Sequence, residues 1–201
     1  MLPIYLASSS PRRRMLLAQL GLPFSVIVPK VEEETVDGLP CARLVEELAY
    51  KKALAVEGAV ARGIIVAADT VVVCRGKVLG KPSGEAEARE MLRLLSGCVH
   101  EVYTGLAVLE KPAGRRVLAH ERTEVKFRAL SEEEIARYVA TGEPMDKAGA
   151  YAAQGLGAIF IEGIKGCYFN VVGLPVARLA AVLREFGVDP LEYRTGGAAG
   201  E

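Results

Sequence analysis

The stretch that most constrains the fold is the apolar run GIIVAADTVVV at residues 63–73. It is rich in β-branched residues and almost continuous, which is the pattern of a strand buried on both faces of a sheet. Such strands occur where helices cover both faces of the sheet. The run therefore predicts the central strand of an α/β fold.

Strand-like and helix-like segments alternate along the chain, which is typical of α/β proteins. The pattern predicts strands at residues 2–7, 24–28, 63–73, 77–80, 100–109, 116–127 and 158–162. It predicts helices at residues 11–21, 40–60, 85–96, 132–141 and 175–186. No internal repeat or linker interrupts these segments. We therefore predict one domain over residues 1–190, followed by a disordered tail at residues 191–201.

Composition argues against several classes of protein. Lysine plus arginine number 25, as do aspartate plus glutamate, so the net charge is zero and general electrostatic binding of nucleic acid is not expected. The four cysteines form no CxxC pair, and together with two histidines they provide no zinc signature. The longest apolar run is interrupted by Asp69 and Thr70, and no basic segment precedes the apolar N-terminus. We therefore expect a cytoplasmic protein with neither a membrane span nor a signal peptide.

The sequence LASSSPRRRMLL, at residues 6–17, indicates an anion-binding turn. It has the pattern of a strand, a tight turn and a helix, with Ser10 as the N-cap and a proline at the first helical position. Arg12, Arg13 and Arg14 then fall at the positive end of the helix dipole, which disfavours each charge by about 0.3–1 kcal/mol. An anion held by backbone N–H and guanidinium groups would remove that penalty. The alternative is that all three arginines are solvated.

Asp69 is the strongest single candidate for a catalytic residue. It interrupts the buried run, and an unpaired buried carboxylate costs several kcal/mol unless a cation, a metal ion or hydrogen bonds compensate. Ligands of α/β proteins bind where such strands end, which favours a functional role. The alternative is an aspartate that caps a neighbouring loop.

Further charged residues could share a site with Asp69. Lys52 falls within the apolar stripe of the helix predicted at residues 40–60, where its ammonium group either reaches solvent or faces an anion inside. Lys81 precedes a rigid proline in the sequence LGKP. One of the glutamates at residues 32–34 could bind Mg²⁺ together with Asp69 and substrate phosphates. Such a set suits metal-assisted attack of water on a phosphate ester or anhydride.

Motifs of several other enzyme classes are missing from the sequence. It contains no Walker motif, no GxGxxG and no GxSxG. Their absence disfavours kinase-like NTPases, dinucleotide-dependent redox enzymes and serine hydrolases. His100 lies in a predicted strand, where a single histidine is more often structural than catalytic.

A series of short motifs runs in order along residues 4–187. They are SxSPRR at residues 8–13, EE at 32–33, Lys52, AADT at 67–70, GKP at 80–82, SGxxHxVYTG at 96–105, DKAGAY at 146–151, QGLG at 154–157 and NVVGLP at 170–175. In this order they resemble the Maf family of nucleoside triphosphate pyrophosphatases, also called septum formation inhibitor proteins.

The resemblance implies an α/β fold in which a mixed twisted sheet is flanked by helices and two lobes surround a cleft, similar to inosine triphosphate pyrophosphatases. It also implies a homodimer that hydrolyses a nucleoside triphosphate to the monophosphate and pyrophosphate with Mg²⁺ or Mn²⁺. By position, Asp69 matches the family's proton acceptor and, with Glu33, its metal site. The other residues that we assign to catalysis and phosphate binding are Ser8, Ser10, Arg12, Arg13, Lys52 and Lys81.

Three positions match those associated with base choice in the family: Arg12, Thr70 and Gln154. Thr70 with Gln154 resembles the branch that acts on dTTP and UTP. Uracil and thymine present an acceptor–donor–acceptor edge, and the Gln154 carboxamide offers one donor and one acceptor to that edge. Guanine would instead suit a carboxylate, which accepts from two donors at once.

The resulting hypothesis is a pyrophosphatase that removes non-standard or excess pyrimidine triphosphates. Asp69 would deprotonate a water that attacks the α-phosphorus, and the cationic residues would neutralise the leaving pyrophosphate. One alternative is a nucleotide-binding regulator of cell division with little turnover. A weaker one is a nonspecific nucleic-acid binder, which the zero net charge disfavours. Arg14, His100 and Lys147 receive no assigned role.

Overall fold

The computed structural model describes residues 2–31 and 38–196. Its elements in chain order are β1 (Ile4–Ala7), α1 (Pro11–Ala18), β2 (Phe24–Ile27), α2 (Cys41–Glu57), β3 (Gly63–Cys74), β4 (Lys77–Leu79), α3 (Glu85–Leu95), β5 (Val99–Lys111), β6 (Arg116–Phe127), α4 (Glu132–Ala140), β7 (Ile161–Lys165), α5 (Tyr168–Val172), α6 (Val176–Glu185) and α7 (Pro190–Gly196). Short 3₁₀ turns lie at Glu143–Asp146, Ala148–Ala150 and Leu156–Phe160. Among the helices in these ranges, none combines the length and the apolar character that a membrane crossing requires.

One mixed sheet contains all seven of these strands, in the order β2-β1-β3-β5-β6-β7 with β4 paired to β3. β1 is parallel to β2 and to β3, so Ala7 stands beside both Ile27 and Ala67. β4 and β7 are antiparallel to β3 and β6 respectively. β3 is buried along its length except at Asp69 and Thr70, which are half-buried. The predicted α/β class and its buried central strand are confirmed.

The chain forms two compact units that interleave in sequence. The first unit contains Met1–Asp69, Thr104–Glu121 and Gly173–Glu201, and the second contains Thr70–Tyr103 and Arg122–Val172. Three of the four boundaries fall inside β3, β5 and β6, and the fourth lies between α5 and α6. The cleft between two lobes that the family resemblance implies stays a prediction, as does the single domain over residues 1–190.

Small side chains let α2 lie close to the sheet in the first unit. One cluster of buried residues joins α2 to β1, β3 and β5, and it consists of Ala7, Ala49, Ala53, Val56, Val60, Ile65, Ala67, Ala107 and Leu109. Gly105 on β5 lies directly against the backbone of α2, since a Cβ there would lie 2.6 Å from the backbone nitrogen of Glu46. The spacing between α2 and the sheet is therefore set by residues with little or no side chain.

The structure differs from the sequence prediction near residue 160. The strand predicted at residues 158–162 is instead a 3₁₀ turn at Leu156–Phe160, followed by β7 at Ile161–Lys165. Gly157 and Phe160 are the buried residues of that turn, at a spacing of three that matches one turn of a 3₁₀ helix. A short apolar run does not by itself distinguish this element from a strand.

A second difference lies at the C-terminus, where the sequence predicts a disordered tail from residue 191. The structure has α7 at Pro190–Gly196. The Asp189 carboxylate accepts the Leu191 N–H at 3.0 Å and the Nε–H of Arg184 at 2.9 Å, which ties the start of α7 to the end of α6. An aspartate followed by proline is a helix-start signal. Residues 197–201 lie outside the described residues.

Candidate active site

The turn after β1 is built by two serines. Ser8 is buried, and its hydroxyl accepts the Ser10 N–H at 3.1 Å. The Ser10 hydroxyl in turn accepts the Arg13 N–H at 3.4 Å, with Pro11 at the first helical position of α1. The predicted N-cap is therefore confirmed, and the serines set the direction in which α1 leaves the sheet.

The three arginines of this turn have different environments. Arg12 and Arg13 are half-buried, whereas Arg14 is exposed. The Nε–H of Arg13 donates to the carbonyl oxygen of Gly173 at 2.8 Å, which fixes its guanidinium against the backbone of Gly173 in the same unit. The first turn of α1 contains no acidic residue, so its positive charges add to the positive end of the helix dipole. This arrangement favours an anion near Arg12 and Arg13, and solvation of Arg14.

Asp69 and Lys52 form an ion pair in which the ammonium group donates to Oδ1 of the carboxylate. The two side chains are only 13% and 20% exposed, respectively, so the pair is largely shielded from water. For each of these two residues, the geometry decides between the alternatives that the sequence left open. Asp69 is compensated by a cation rather than acting as a loop cap, and Lys52 faces an anion rather than solvent.

The position of Lys52 on α2 differs slightly from the helical-wheel prediction. The buried residues of α2 are Leu44, Val45, Glu46, Ala49, Ala53 and Val56. Lys52 therefore borders the apolar stripe instead of occupying its centre, and Ala55, assigned to the stripe from the sequence, is exposed. The border position lets the apolar stem pack while the ammonium group reaches Asp69.

The parallel strands place the arginine turn and Asp69 at the same edge of the sheet. Ser8 follows Ala7 at the end of β1, and Ala7 is paired with Ala67 on β3. Asp69 comes two residues after Ala67, and therefore also lies beyond the end of β1. The carboxyl ends of parallel strands are the usual ligand-binding edge of such a sheet.

The described residues contain no group of three or more His, Cys, Asp or Glu residues that could hold a metal ion. Glu33, the second predicted metal ligand, and the rest of the acidic segment at 32–37 lie outside the described residues. Mg²⁺ is commonly held by one or two carboxylates plus substrate phosphates, so it does not need a protein cage. The Asp69 carboxylate has more acceptor positions than its hydrogen bond from Lys52 uses, and it fits this kind of site.

Three predicted site residues belong to the second unit. Thr70 follows Asp69 on β3 and is half-buried, Lys81 follows β4 and is exposed, and Gln154 is half-buried before a 3₁₀ turn. The carbonyl oxygen of Gly80, next to Lys81, accepts the Gly149 N–H at 2.9 Å, which joins the GKP and DKAGAY motifs. That these residues share one site with Lys52 and Asp69 stays a prediction.

Glu143 and Tyr138 contact the loop around Gln154, and neither was predicted from the sequence. The Glu143 carboxylate accepts the N–H groups of Leu156 and Gly157. The Tyr138 hydroxyl accepts the N–H of Ala152. Neither residue stands in a recognised motif, so only the contact itself shows what these side chains do.

His100 is a core residue of the second unit rather than part of an exposed site. Its ring is 1% exposed, and Nε2 lies 2.9 Å from the Tyr151 hydroxyl oxygen. Phe127 and Tyr151 contact the ring edge-to-face, at centroid distances of 4.9 and 5.4 Å. Burial lowers the pKa of His100 to about 4, so the imidazole is neutral at pH 7. The SGxxHxVYTG and DKAGAY motifs therefore meet in a packing contact.

The buried histidine should make stability depend on pH. Between pH 6.5 and pH 4 the unfolded chain binds a proton at His100 that the folded chain does not, so stability falls as the pH falls. The loss should approach about 3 kcal/mol at pH 4. Urea unfolding of the parent and of His100→Leu at several pH values isolates this effect, because the variant lacks it. Equal pH slopes for the two proteins would contradict the assignment.

An arginine-rich helix start and a shielded lysine–aspartate pair lie at the carboxyl ends of parallel strands, an arrangement typical of α/β proteins that bind anionic ligands. The family model described as "Maf-like protein" matches residues 3–186. The chain belongs to the Maf-like family, as the ordered motifs predicted.

Several proteins with similar sequences match this chain over nearly its full length. The "dTTP/UTP pyrophosphatase" of Pelotomaculum thermopropionicum is 56% identical, over 94% of this chain and 98% of that protein. The proteins of the same name from Desulforamulus reducens and Moorella thermoacetica are 53% and 52% identical. Those matches cover 94% and 92% of this chain, and 99% and 96% of the relatives. A solved structure, "The structure of the Staphylococcus aureus Ham1 protein", aligns with a TM-score of 0.46 and 15% identity, over 62% of this chain and 71% of that one.

Proposed function

We propose that this protein is a nucleoside triphosphate pyrophosphatase that hydrolyses dTTP and UTP to the monophosphate and pyrophosphate. The observation that carries the proposal is the shielded Asp69–Lys52 pair beyond the end of β1, next to the arginine turn. Relatives more than half identical to this chain over nearly its full length are named dTTP/UTP pyrophosphatases, which supports the same substrates here. No observation favours a regulator of cell division with little turnover.

The chemistry follows from the residues of the site. The carboxylate of Asp69 accepts a proton from a water that attacks the α-phosphorus. Lys52 orients that carboxylate through the ion pair. Arg12 and Arg13 at the start of α1 bind the β- and γ-phosphates and stabilise the negative charge on the leaving pyrophosphate, with Lys81 assisting them. Ser8 and Ser10 shape the turn that presents the backbone N–H groups.

The proposal includes a divalent cation, Mg²⁺ or Mn²⁺, held by Asp69 and Glu33 together with the substrate phosphates. When bound, such an ion would neutralise phosphate charge and polarise the bond that breaks. The acceptor capacity of the Asp69 carboxylate supports this assignment. Base choice is assigned to Arg12, Thr70 and Gln154, with the Gln154 carboxamide matching the edge of uracil or thymine.

We also propose that the protein is a cytoplasmic homodimer that removes excess or non-standard pyrimidine triphosphates. The scattered single cysteines support a reducing compartment. The dimer follows from the family resemblance, and sedimentation of the purified protein would test it.

A nucleotide panel tests the proposed function directly. We expect pyrophosphate release from dTTP, UTP and pseudo-UTP in Mg²⁺ or Mn²⁺, with slower release from 7-methyl-GTP. Chelation of the cation should lower the rate by at least about a hundredfold, because phosphate charge is then uncompensated. Product analysis should find pyrophosphate rather than orthophosphate.

Two outcomes of the panel would contradict the proposal. Release of orthophosphate would place the cleavage at the terminal phosphate instead of between the α- and β-phosphates. Tight nucleotide binding without release from any substrate would favour the binding regulator.

A further inference from the structure

The loop that carries Gln154 is held on one side by a single carboxylate of the second unit. Glu143 accepts the N–H of Leu156 at Oε2 and the N–H of Gly157 at Oε1, both at 3.0 Å. These two amides follow Gln154 closely in sequence. The backbone after Gln154 is therefore anchored by charge-assisted hydrogen bonds, which are about twice as strong as neutral ones.

A tyrosine holds the other side of the same loop. The hydroxyl of Tyr138, a residue that is 4% exposed, accepts the N–H of Ala152 at 3.1 Å. The same hydroxyl donates to Oε1 of Glu143 at 2.8 Å. Tyr138 and Glu143 thus form one connected cluster with an anchor on each side of Gln154.

Two glycines leave the space that this cluster occupies. A Cβ on Gly155 would lie 2.5 Å from Oε2 of Glu143, and a Cβ on Gly157 would lie 2.6 Å from the Tyr138 hydroxyl oxygen. Gly155 also has φ 156° and ψ −157°, a conformation that is essentially restricted to glycine. The glycines of the QGLG motif therefore allow the backbone to contact the Tyr138–Glu143 cluster directly.

The charge state of Glu143 matches this role. Burial works to raise the pKa of the Glu143 carboxyl, but hydrogen bonds from Gly157, Tyr138 and Leu156 lower it below its ordinary value. The group is therefore an ionised carboxylate at neutral pH, which only accepts hydrogen bonds. The carboxylate accepts three hydrogen bonds and has no hydrogen of its own that would point at those three donors.

We propose that Glu143 and Tyr138 are positioning residues that set base selectivity by fixing the orientation of Gln154. A carboxamide distinguishes bases only if its oxygen and its NH₂ group are each presented in a fixed direction, since the amide can otherwise rotate to suit another edge. Anchoring the backbone on both sides of Gln154 supplies that constraint. This inference rests on the proposed function, because it concerns the base of the substrate.

The test is Glu143→Gln, which keeps the size of the side chain but turns an NH₂ group toward backbone donors. We expect the ratio of kcat/KM for dTTP to that for dCTP to fall about tenfold, mainly through a higher KM for dTTP. The kcat for dTTP should change less than about threefold, since no reacting group is altered. Hydrogen exchange at the Leu156 and Gly157 amides should accelerate at least about tenfold.

A double-mutant cycle with Gln154→Ala separates positioning from general destabilisation. In the Gln154→Ala background, Glu143→Gln should change the ratio of kcat/KM for dTTP to that for dCTP by less than about twofold, because there is no carboxamide left to orient. Tyr138→Phe should reproduce the selectivity loss of Glu143→Gln. Glu133→Gln is the matched control, since that glutamate is 72% exposed and pairs with Arg137 on the same helix.

The outcomes separate this inference from the proposed function. The inference would be overturned if Glu143→Gln left the dTTP-to-dCTP ratio of kcat/KM unchanged, or if it lowered that ratio equally with and without Gln154. In either case, hydrolysis of dTTP by the parent protein would still uphold the proposed function. If the parent hydrolyses no nucleoside triphosphate, the proposed function fails and base positioning fails with it. Amide exchange then still decides whether Glu143 holds the loop.

Discussion

Replacing Asp69 by asparagine should slow pyrophosphate release from dTTP by at least about a thousandfold while the chain stays folded. Removal of a general base alone costs about a hundred- to ten-thousandfold, and Asp69 is also assigned to the cation. Asparagine has nearly the same shape, and its amide oxygen can still accept the hydrogen bond from Lys52. Steady-state assays with circular dichroism and thermal unfolding measure both halves of this expectation.

A matched control separates chemistry from the loss of an ion pair. Asp189→Asn removes the carboxylate that pairs with Arg184 and caps α7, and it should change turnover by less than about threefold. Near-normal turnover of Asp69→Asn would refute its assignment as the base. Loss of turnover accompanied by loss of the folded spectrum would show a structural role instead.

Replacing Gly105 by alanine should destabilise the protein by about 3 kcal/mol or more, or prevent folding. The added Cβ would overlap the carbonyl group of Val45 and lie 2.6 Å from the backbone nitrogen of Glu46. Because these atoms belong to the backbone of α2, no side-chain rotation relieves the overlap. The helix would have to move away from β5, which would open the alanine-rich cluster beneath it.

Urea unfolding measures this effect, with Gly163→Ala as the control. Gly163 lies in β7 and has nothing within 4 Å of an added Cβ, so its substitution should leave the unfolding midpoint nearly unchanged. A Gly105→Ala midpoint equal to that of the parent would contradict the packing argument. The position of Gly105 at the end of the SGxxHxVYTG motif is therefore explained by packing rather than by substrate contact.

Much of the fold could be predicted because its signals are local. The run at residues 63–73 predicted β3, and the alternation of patterns predicted most other elements within a few residues. Ser10 and Pro11 predicted the start of α1, since capping depends on the residues beside it. The turn at Leu156–Phe160 was missed because a short apolar run does not distinguish a 3₁₀ turn from a strand. The start of α7 does have a local signal, Asp189 followed by Pro190, which the prediction did not use.

The candidate site was predictable in part for a similar reason. Asp69 was conspicuous because a carboxylate in a buried strand needs compensation, yet its partner stood 17 positions away on another element. The sequence left Lys52 with two alternatives, and only the packing of α2 on the sheet decided between them. Glu143 and Tyr138 offered no sequence signal, since neither interrupts a pattern.

By itself, the sequence determined the α/β class, the family and the residue types available for chemistry, because periodicity, caps and ordered motifs are properties of the chain. Tertiary structure alone decided which polar groups meet: Lys52 with Asp69, Arg13 with the carbonyl of Gly173, and Glu143 with the backbone amides after Gln154. The physical reason is that electrostatic and hydrogen-bond energies depend on distances of a few ångströms between atoms. Residues far apart in the chain reach those distances only when the sheet and helices pack.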